Sequence, residues 1–241
     1  MQLFYNPQIS EKDTQIIFQR DESKHIVKVL RKKEGDVVNI TNGNGLLINA
    51  EIIDADIKQC VAKIISTEKQ APPPYYLHMI VAPTKMNDRF EWFLEKAMEI
   101  GVHEITPIIC DHSERKVVKL NRFDRVLQSA MKQSLHFRMP KLNGPVNFHD
   151  FINQEIAGSK LIAHCEEGME KAYLQNKIDP DNQVNILIGP EGDFSREEIK
   201  LAQENKWEAV SLGESRLRTE TAAIVACHTV ALVNQKNNGE K

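Results

Sequence analysis

Three consecutive prolines most constrain how this chain can fold. The segment Gln70-Ala71-Pro72-Pro73-Pro74-Tyr75-Tyr76 breaks any strand or helix that reaches it and holds the backbone extended and stiff. A chain of 241 residues has room for one or two domains of ordinary size. The proline run therefore sets a boundary, with one domain over residues 1–71 and a second over residues 76–241.

The two sides of this boundary follow different patterns. Before it come short β-type runs: Ile16 to Phe18, Val37 to Ile40, Leu46 to Ile53 and Cys60 to Ile65. Asn42-Gly43-Asn44-Gly45 separates two of them and supplies the positive-φ positions of a tight hairpin. This half reads as a small β-barrel or open sheet. Within it, Ser23 to Arg31 is an amphipathic stretch with Ile26, Val29 and Leu30 on one face and its cations elsewhere. A solvated helix face accounts for those cations as well as a ligand does.

After the boundary, strands and helices alternate, which predicts a largely parallel sheet. Strands are expected at Leu77 to Ala82, Ile105 to Ile109, Leu161 to Ala163, Val184 to Ile188 and Ala209 to Leu212. Helices are expected at Asp88 to Ile100, around Arg122 to Leu135, from Ser195 onward, and from Glu220 to Val233. Asp88/Glu91 and Ser195/Glu198 both have capping-box spacing, and Gly101 ends the first of these helices.

Composition matters here mainly through charge. The net charge of −3 hides a segment, His112 to Lys141, that carries eight cations against Glu114 and Asp124, a local +6 that leaves −9 elsewhere. Cys60, Cys110, Cys165 and Cys227 lie far apart, with no paired spacing, and read as reduced core thiols in a cytoplasmic protein rather than zinc ligands. No signal peptide is expected from Met1 to Pro7, and the longest apolar stretch, Ala222 to Val233, is too short and too polar for a membrane span.

GxxxxGK[ST], HExxH, GxSxG and GxGxxG are all absent, so a nucleotide-like ligand must be held by some other device. The strongest candidates are two strand-loop-helix junctions. Ile188-Gly189-Pro190-Glu191-Gly192-Asp193-Phe194 sits at the carboxyl edge of its strand, where open α/β sheets bind ligands, and its glycines admit a ligand to bare backbone. In the second, Leu212 to Ala222, residues 214–219 put two arginines, two hydroxyls and an acid between Gly213 and an apolar helix. A Pro-type turn accounts for the first and helix capping for the second. Their pairing is what argues for a site.

The pairing of Ile-Gly-Pro-Glu-Gly with Leu-Gly-x-x-x-Leu-Arg-Thr-Glu-Thr-Ala resembles the 16S ribosomal RNA uridine-N3 methyltransferases of the knotted SPOUT superfamily. Lys85 with Asp88-Arg89, Glu95 to Val102, Gln133-Ser134 followed by Pro140, and His25 to Arg31 followed by Gly35-Asp36 agree, in family order over residues 1 to 234. The resemblance implies an α/β protein: an N-terminal PUA-like RNA-binding β-barrel, then a SPOUT domain with a deep trefoil knot that binds S-adenosylmethionine. It also implies a homodimer acting on 16S ribosomal RNA, within an assembled small subunit, with no metal and no membrane. Residue by residue, the cofactor pocket falls on Ala163, His164, Ile188, Gly189, Glu191, Gly192, Leu212, Gly213, Leu217, Arg218 and Thr219. The family usually carries Gly-Pro-Glu-Gly-Gly, whereas Asp193 holds the last position here. His136 stands where an arginine is expected, and Lys132 where an acid usually precedes Gln133. Gln2-Leu3-Phe4-Tyr5 lacks the arginine common before its aromatic pair.

Methylation at uridine N3 becomes easy once the imide proton leaves, so a cation beside O2 or O4 promotes it. Arg218 is the expected source of that charge, with Glu220 as its partner; the alternative is that both only position the loop. RNA phosphates are expected at Lys24, His25, Arg31, Arg115, Lys119 and Arg138. Two other readings stay open: a non-catalytic RNA-binding or assembly protein, and another SPOUT reaction on ribose 2′-O or on tRNA.

Overall fold

A computed structural model describes residues 2–166, 168 and 170–238. The chain forms two compact units, Met1–Pro72 with Met131–Met139, and Pro73–Ala130 with Pro140–Lys241.

The first unit is a five-stranded sheet curled around one core. Its strands are β1 (Leu3–Tyr5), β2 (Gln15–Ile17), β3 (Val37–Thr41), β4 (Leu46–Asp54) and β5 (Val61–Lys69), in the order β1-β3-β4-β5-β2. Period-two alternation puts Leu46, Ile48, Ala50 and Ile52 of β4 inside with Phe4, Phe18, Ile26 and Ile40. The Asn42–Gly45 turn joins β3 to antiparallel β4, with φ of 75° at Gly43 and 87° at Gly45. A Cβ at Gly45 would meet the Arg138 guanidinium and the Gln70 carbonyl.

Two expectations change in this unit. The stretch from Ser23 to Arg31 is a short helix α1 (Arg20–Lys24) followed by a wider turn, His25–Val29, in which the Leu30 N–H donates to His25 O, five residues back. That widening rotates the side chains off the 3.6-residue period, so Ile26 is buried while Val29 is 64% exposed. The segment Met131–Met139, counted by sequence with the second domain, belongs to the first unit. Gly45 N donates to Phe137 O at 2.7 Å, Met139 N to Gly43 O at 2.8 Å, and the Arg138 guanidinium to Gln70 O.

In the second unit every strand pairing is parallel. The strands are β6 (Tyr76–Val81), β7 (Glu104–Ile109), β8 (Lys141–Leu142), β9 (Val146–Asn147), β10 (Ser159–Ala163), β11 (Ala172–Tyr173), β12 (Gln183–Ile188) and β13 (Glu208–Ser211). They run β11-β13-β10-β12-β6-β7-β8, with β9 also on β7. The central strands β6 and β12 are almost wholly buried, as a sheet covered on both faces requires. Ile80, Ile108, Ile162 and Leu187 pack against α4 (Phe148–Ile152) and α5 (Arg196–Glu204). The two long helices α2 (Asn87–Ile100) and α6 (Thr219–Asn238) pack on each other, and α6 also packs on β6 and β12. The remaining helix, α3 (Leu120–Ser134), follows the basic loop after β7.

Of the two predicted capping boxes, only that of α5 forms: the Ser195 side chain accepts from Glu198 N and the Glu198 carboxylate accepts from Ser195 N. Helix α2 begins one residue early at Asn87 without a side-chain cap, because Glu91 instead pairs with Arg122. Cys60, Cys110 and Cys227 are buried, but Cys165 is exposed, since it lies in the loop beyond the end of β10.

A polar network runs through this apolar sheet. Glu104 accepts from Tyr76 Oη (2.8 Å), Lys141 Nζ (2.8 Å) and Asn143 Nδ2 (2.7 Å). Asn143 also donates to Thr106, which bonds His78 at 2.7 Å, and His78 reaches Asn185. Burial alone would raise the Glu104 pKa, but the Lys141, Asn143 and Tyr76 donors outweigh it and hold the carboxyl at about 2. Burial and the Glu104 bond push Tyr76 up to about 12.

Candidate functional site

Strand register decides where the loops converge. Val81 of β6 is level with Ile188 of β12, Ile188 with Ala163 of β10, and Ala163 with Val210 of β13. Because these strands are parallel, the segments after residues 81, 163, 188 and 211 all leave from one carboxyl edge. Ala163, His164, Ile188, Gly189, Glu191, Gly192, Leu212, Gly213, Leu217, Arg218 and Thr219 all lie on or beside that edge.

Side chains tie these segments together. Thr219, 5% exposed, donates from Oγ1 to Gly189 O at 3.1 Å, joining the start of α6 to the loop after β12. Glu191 Oε1 accepts from Lys85 N at 2.9 Å, linking that loop to the β6–α2 connection. His112 donates from Nδ1 to Gly192 O (3.0 Å) and Asp193 O (3.1 Å); both partners are carbonyls, so Nδ1 carries the proton. A Cβ at Gly189 would sit 3.0 Å from the Phe194 ring, and one at Gly192 3.0 Å from His112 Cβ, so backbone lines the cradle at both positions. Asp193 has φ of 63°, in the left-handed region that Asp tolerates better than most residues.

Among the described residues, buried side-chain atoms without a hydrogen-bond partner occur at His164 and Glu220 beside this edge, and at Glu91 and Arg138 elsewhere. His164 is 7% exposed, with both ring nitrogens unsatisfied, and Glu220 is 6% exposed, with Oε2 unsatisfied. Burial first, then the Lys171 ammonium, lowers the His164 pKa, so its ring is neutral at pH 7 and offers one donor and one acceptor. Buried polar atoms without partners are costly, and at a cleft they mark where a ligand completes the bonding. The bare-backbone cradle, the neutral imidazole and the exposed Glu191 carboxylate fit a ligand with amine, carboxylate and heteroaromatic groups, as S-adenosylmethionine has.

The expected Arg218–Glu220 pairing does not form. Arg218 is exposed, while Glu220 Oε1 faces Arg89 Nε at 3.8 Å, because α2 packs against α6 and brings Arg89 to the start of α6. Leu212 and Gly213 also line a cleft of about 320 Å³ with Tyr173, Leu174, Gln175, Ser211 and Thr229.

The expected RNA contacts sort by exposure. Lys24, Arg31 and Lys119 are exposed, and Arg31 shares a concavity of about 470 Å³ with Lys32, Lys33, Val27, Glu34 and Ala55. His25 is partly buried with its ring edge-on to Phe4. Arg115 donates from Nε to Thr84 O at 3.0 Å and also bonds Lys85 O, and Arg138 bonds Gln70 O, so both guanidinium groups hold backbone. Sequence reasoning missed His112 and assigned no role to Arg89, Lys32 or Lys33. Nothing in linear spacing could have found His112, whose partners are 80 and 81 residues away.

A family model described as an RNA methyltransferase domain matches residues 71–231, and one described as an RNA methyltransferase PUA domain matches residues 18–65. The chain is 32% identical over 224 residues to ribosomal RNA small subunit methyltransferase E of Buchnera aphidicola, across 88% of this chain and 86% of the relative. A crystal structure from Porphyromonas gingivalis, described as a probable rRNA-methyltransferase, is 39% identical, with a TM-score of 0.90 across 98% of this chain and all of that one. A Legionella pneumophila methyltransferase crystallised with bound S-adenosylmethionine is 28% identical, with a TM-score of 0.84 across 95% and 96% of the two chains.

Proposed function

The chain belongs to the RNA methyltransferase family, and on that premise we propose that it transfers a methyl group from S-adenosylmethionine to N3 of a uridine in 16S ribosomal RNA. The observation that carries the reading is the convergence of the loops after β10, β12 and β13 on one sheet edge, pinned by Thr219 and Gly189 around an unsatisfied His164. The relatives' names supply the substrate class.

When bound, S-adenosylmethionine supplies an electrophilic methyl group. Ile188, Gly189, Gly192, Leu212, Gly213, Leu217 and Thr219 present backbone and apolar surface to it, with Ala163 and His164 closing the side at β10. Arg218 points a cation toward the uracil carbonyls, stabilising the imidate that forms as solvent takes the N3 proton. Glu220 acts through Arg89, positioning that second cation beside the start of α6. Because N3 lies on the Watson–Crick edge, the base must be unpaired or flipped out. Lys24 and Arg31 on the first unit and Lys119 on the second contact phosphates. Replacing Lys119 with alanine is expected to lower the slope of log K against log salt by about one, while Arg115→Ala also loosens the Thr84–Lys85 backbone and lowers activity beyond its effect on binding.

A homodimer, a cytoplasmic location and a trefoil knot belong to the same proposal. No helix among the described residues is long and apolar enough to cross a membrane. The Asp193 carboxylate accepts from the Cys165 and Phe194 amides, so the departure from glycine leaves this loop hydrogen-bonded and gives the non-catalytic reading no specific support.

Mass spectrometry of 16S ribosomal RNA from a deletion strain tests the reading. One uridine is expected to lose a base methyl and to regain it when the gene is restored; an unchanged modification profile would rule the assignment out. Titration calorimetry is expected to give one saturable S-adenosylmethionine site per chain.

A further inference from the structure

Asp193 stands where the resembling family usually has glycine, and its side chain makes contacts that no glycine can. Its Oδ2 accepts the Cys165 N–H at 2.7 Å and its Oδ1 accepts the Phe194 N–H at 2.9 Å. One carboxylate thus joins the loop after β12 to the loop after β10. The β10 loop is gripped again through its carbonyls: Lys171 Nζ donates to His164 O at 2.8 Å and to Glu166 O at 2.7 Å. On the other side, His112 holds Asp193 by its own carbonyl. His164 O, Cys165 N and Glu166 O are therefore each engaged, while the imidazole itself is buried and unsatisfied.

From this geometry we propose that Asp193 is a positioning residue for the cofactor. It clamps the Cys165 amide and so fixes His164 against the wall formed by the loop after β12, preorganising the pocket before ligand arrives. Preorganisation lowers the ordering cost of binding and leaves the methyl-transfer step alone. The effect therefore falls on cofactor affinity. The proposal rests on the S-adenosylmethionine reading above.

The test uses the full chain and S-adenosylhomocysteine as the probe. Asp193→Gly is the informative variant, because glycine adopts φ of 63° without strain and the fold is kept. Titration calorimetry is expected to show dissociation constants about tenfold weaker for Asp193→Gly, the loss expected for one charge-assisted hydrogen bond. Asp193→Asn, which retains one acceptor oxygen, is expected to fall between wild type and Asp193→Gly. Hydrogen exchange at the Cys165 amide should accelerate in the glycine variant, and kcat at saturating cofactor should stay within about twofold while the cofactor KM rises. Wild-type affinity in Asp193→Gly, or a fall in kcat with KM unchanged, overturns the clamp. If the wild-type chain itself fails to bind S-adenosylhomocysteine, the cofactor reading falls first and the clamp with it. That outcome differs from wild type and variant binding equally, which overturns the clamp alone.

Discussion

Replacing Arg218 with alanine lowers single-turnover methyl transfer, at saturating S-adenosylmethionine, by about 10²–10³-fold, the usual cost of removing one group that stabilises developing charge. The prediction separates catalysis from loop support. The Arg218 carbonyl already accepts the Ala222 N–H at 2.8 Å, so the main chain is anchored whatever the side chain does, and the residue itself is exposed. Cofactor affinity is accordingly expected to stay within about threefold of wild type, and the whole deficit to appear in the rate. Arg218→Lys keeps the charge but not the planar fork, and should recover part of the loss. Near-wild-type single-turnover rates in Arg218→Ala would leave Arg218 as loop structure and shift attention to Arg89, whose guanidinium faces Glu220 on the same helix start.

The second large effect is on stability and arises away from the site. Glu104→Ala removes the acceptor shared by Tyr76, Lys141 and Asn143 and strands donors that the sheet has partly withdrawn from water. The expected cost is about 3 kcal/mol, mostly from leaving the part-buried Tyr76 and Asn143 donors unpaired, since Lys141 is largely exposed and re-solvates. Thermal unfolding of the full chain at pH 7 should fall by roughly 10 °C. The effect depends on pH with a definite sign. Glu104 has its folded-state pKa depressed to about 2, so its stabilisation is complete above the ordinary carboxylate range. It fades as pH drops from about 4.5 toward 2, as the unfolded chain protonates first. Wild type and Glu104→Ala should therefore differ most near neutrality and converge in acid. A pH-independent difference in unfolding temperature would mean that packing, not the carboxylate, carries the effect.

Much of the fold was legible in the residues. The Asn-Gly-Asn-Gly turn located the β3–β4 hairpin, and the switch after the proline run from period-two runs to alternating strands and helices matches the change from the curled sheet to the parallel one. The two loops after β12 and β13 were also legible as strand-loop-helix junctions, because glycine, proline and dense polar residues after a buried strand are local signals. The two-residue strands β8, β9 and β11 were not, since so short a run carries no period. The wide turn after α1 was equally hidden, and it alone decides that Val29 faces solvent. Segment 131–139 looked like a continuation of the second domain, and its membership of the first unit rests on backbone bonds from Phe137, Arg138 and Met139 to residues 43–70.

Sequence by itself determined the kinds of chemistry present: which loops could admit a ligand to bare backbone, where cations were concentrated, and which family grammar the motifs obeyed. Those properties depend on residue type and local spacing, and both are written linearly. Tertiary structure decided the pairings. Glu220 meets Arg89 because α2 and α6 pack together, Arg115 and Arg138 hold carbonyls instead of standing free, and Asp193 reaches an amide 28 residues away. Helix packing and strand register set these partners, and both are fixed by the packing of whole faces, which no local stretch of sequence contains.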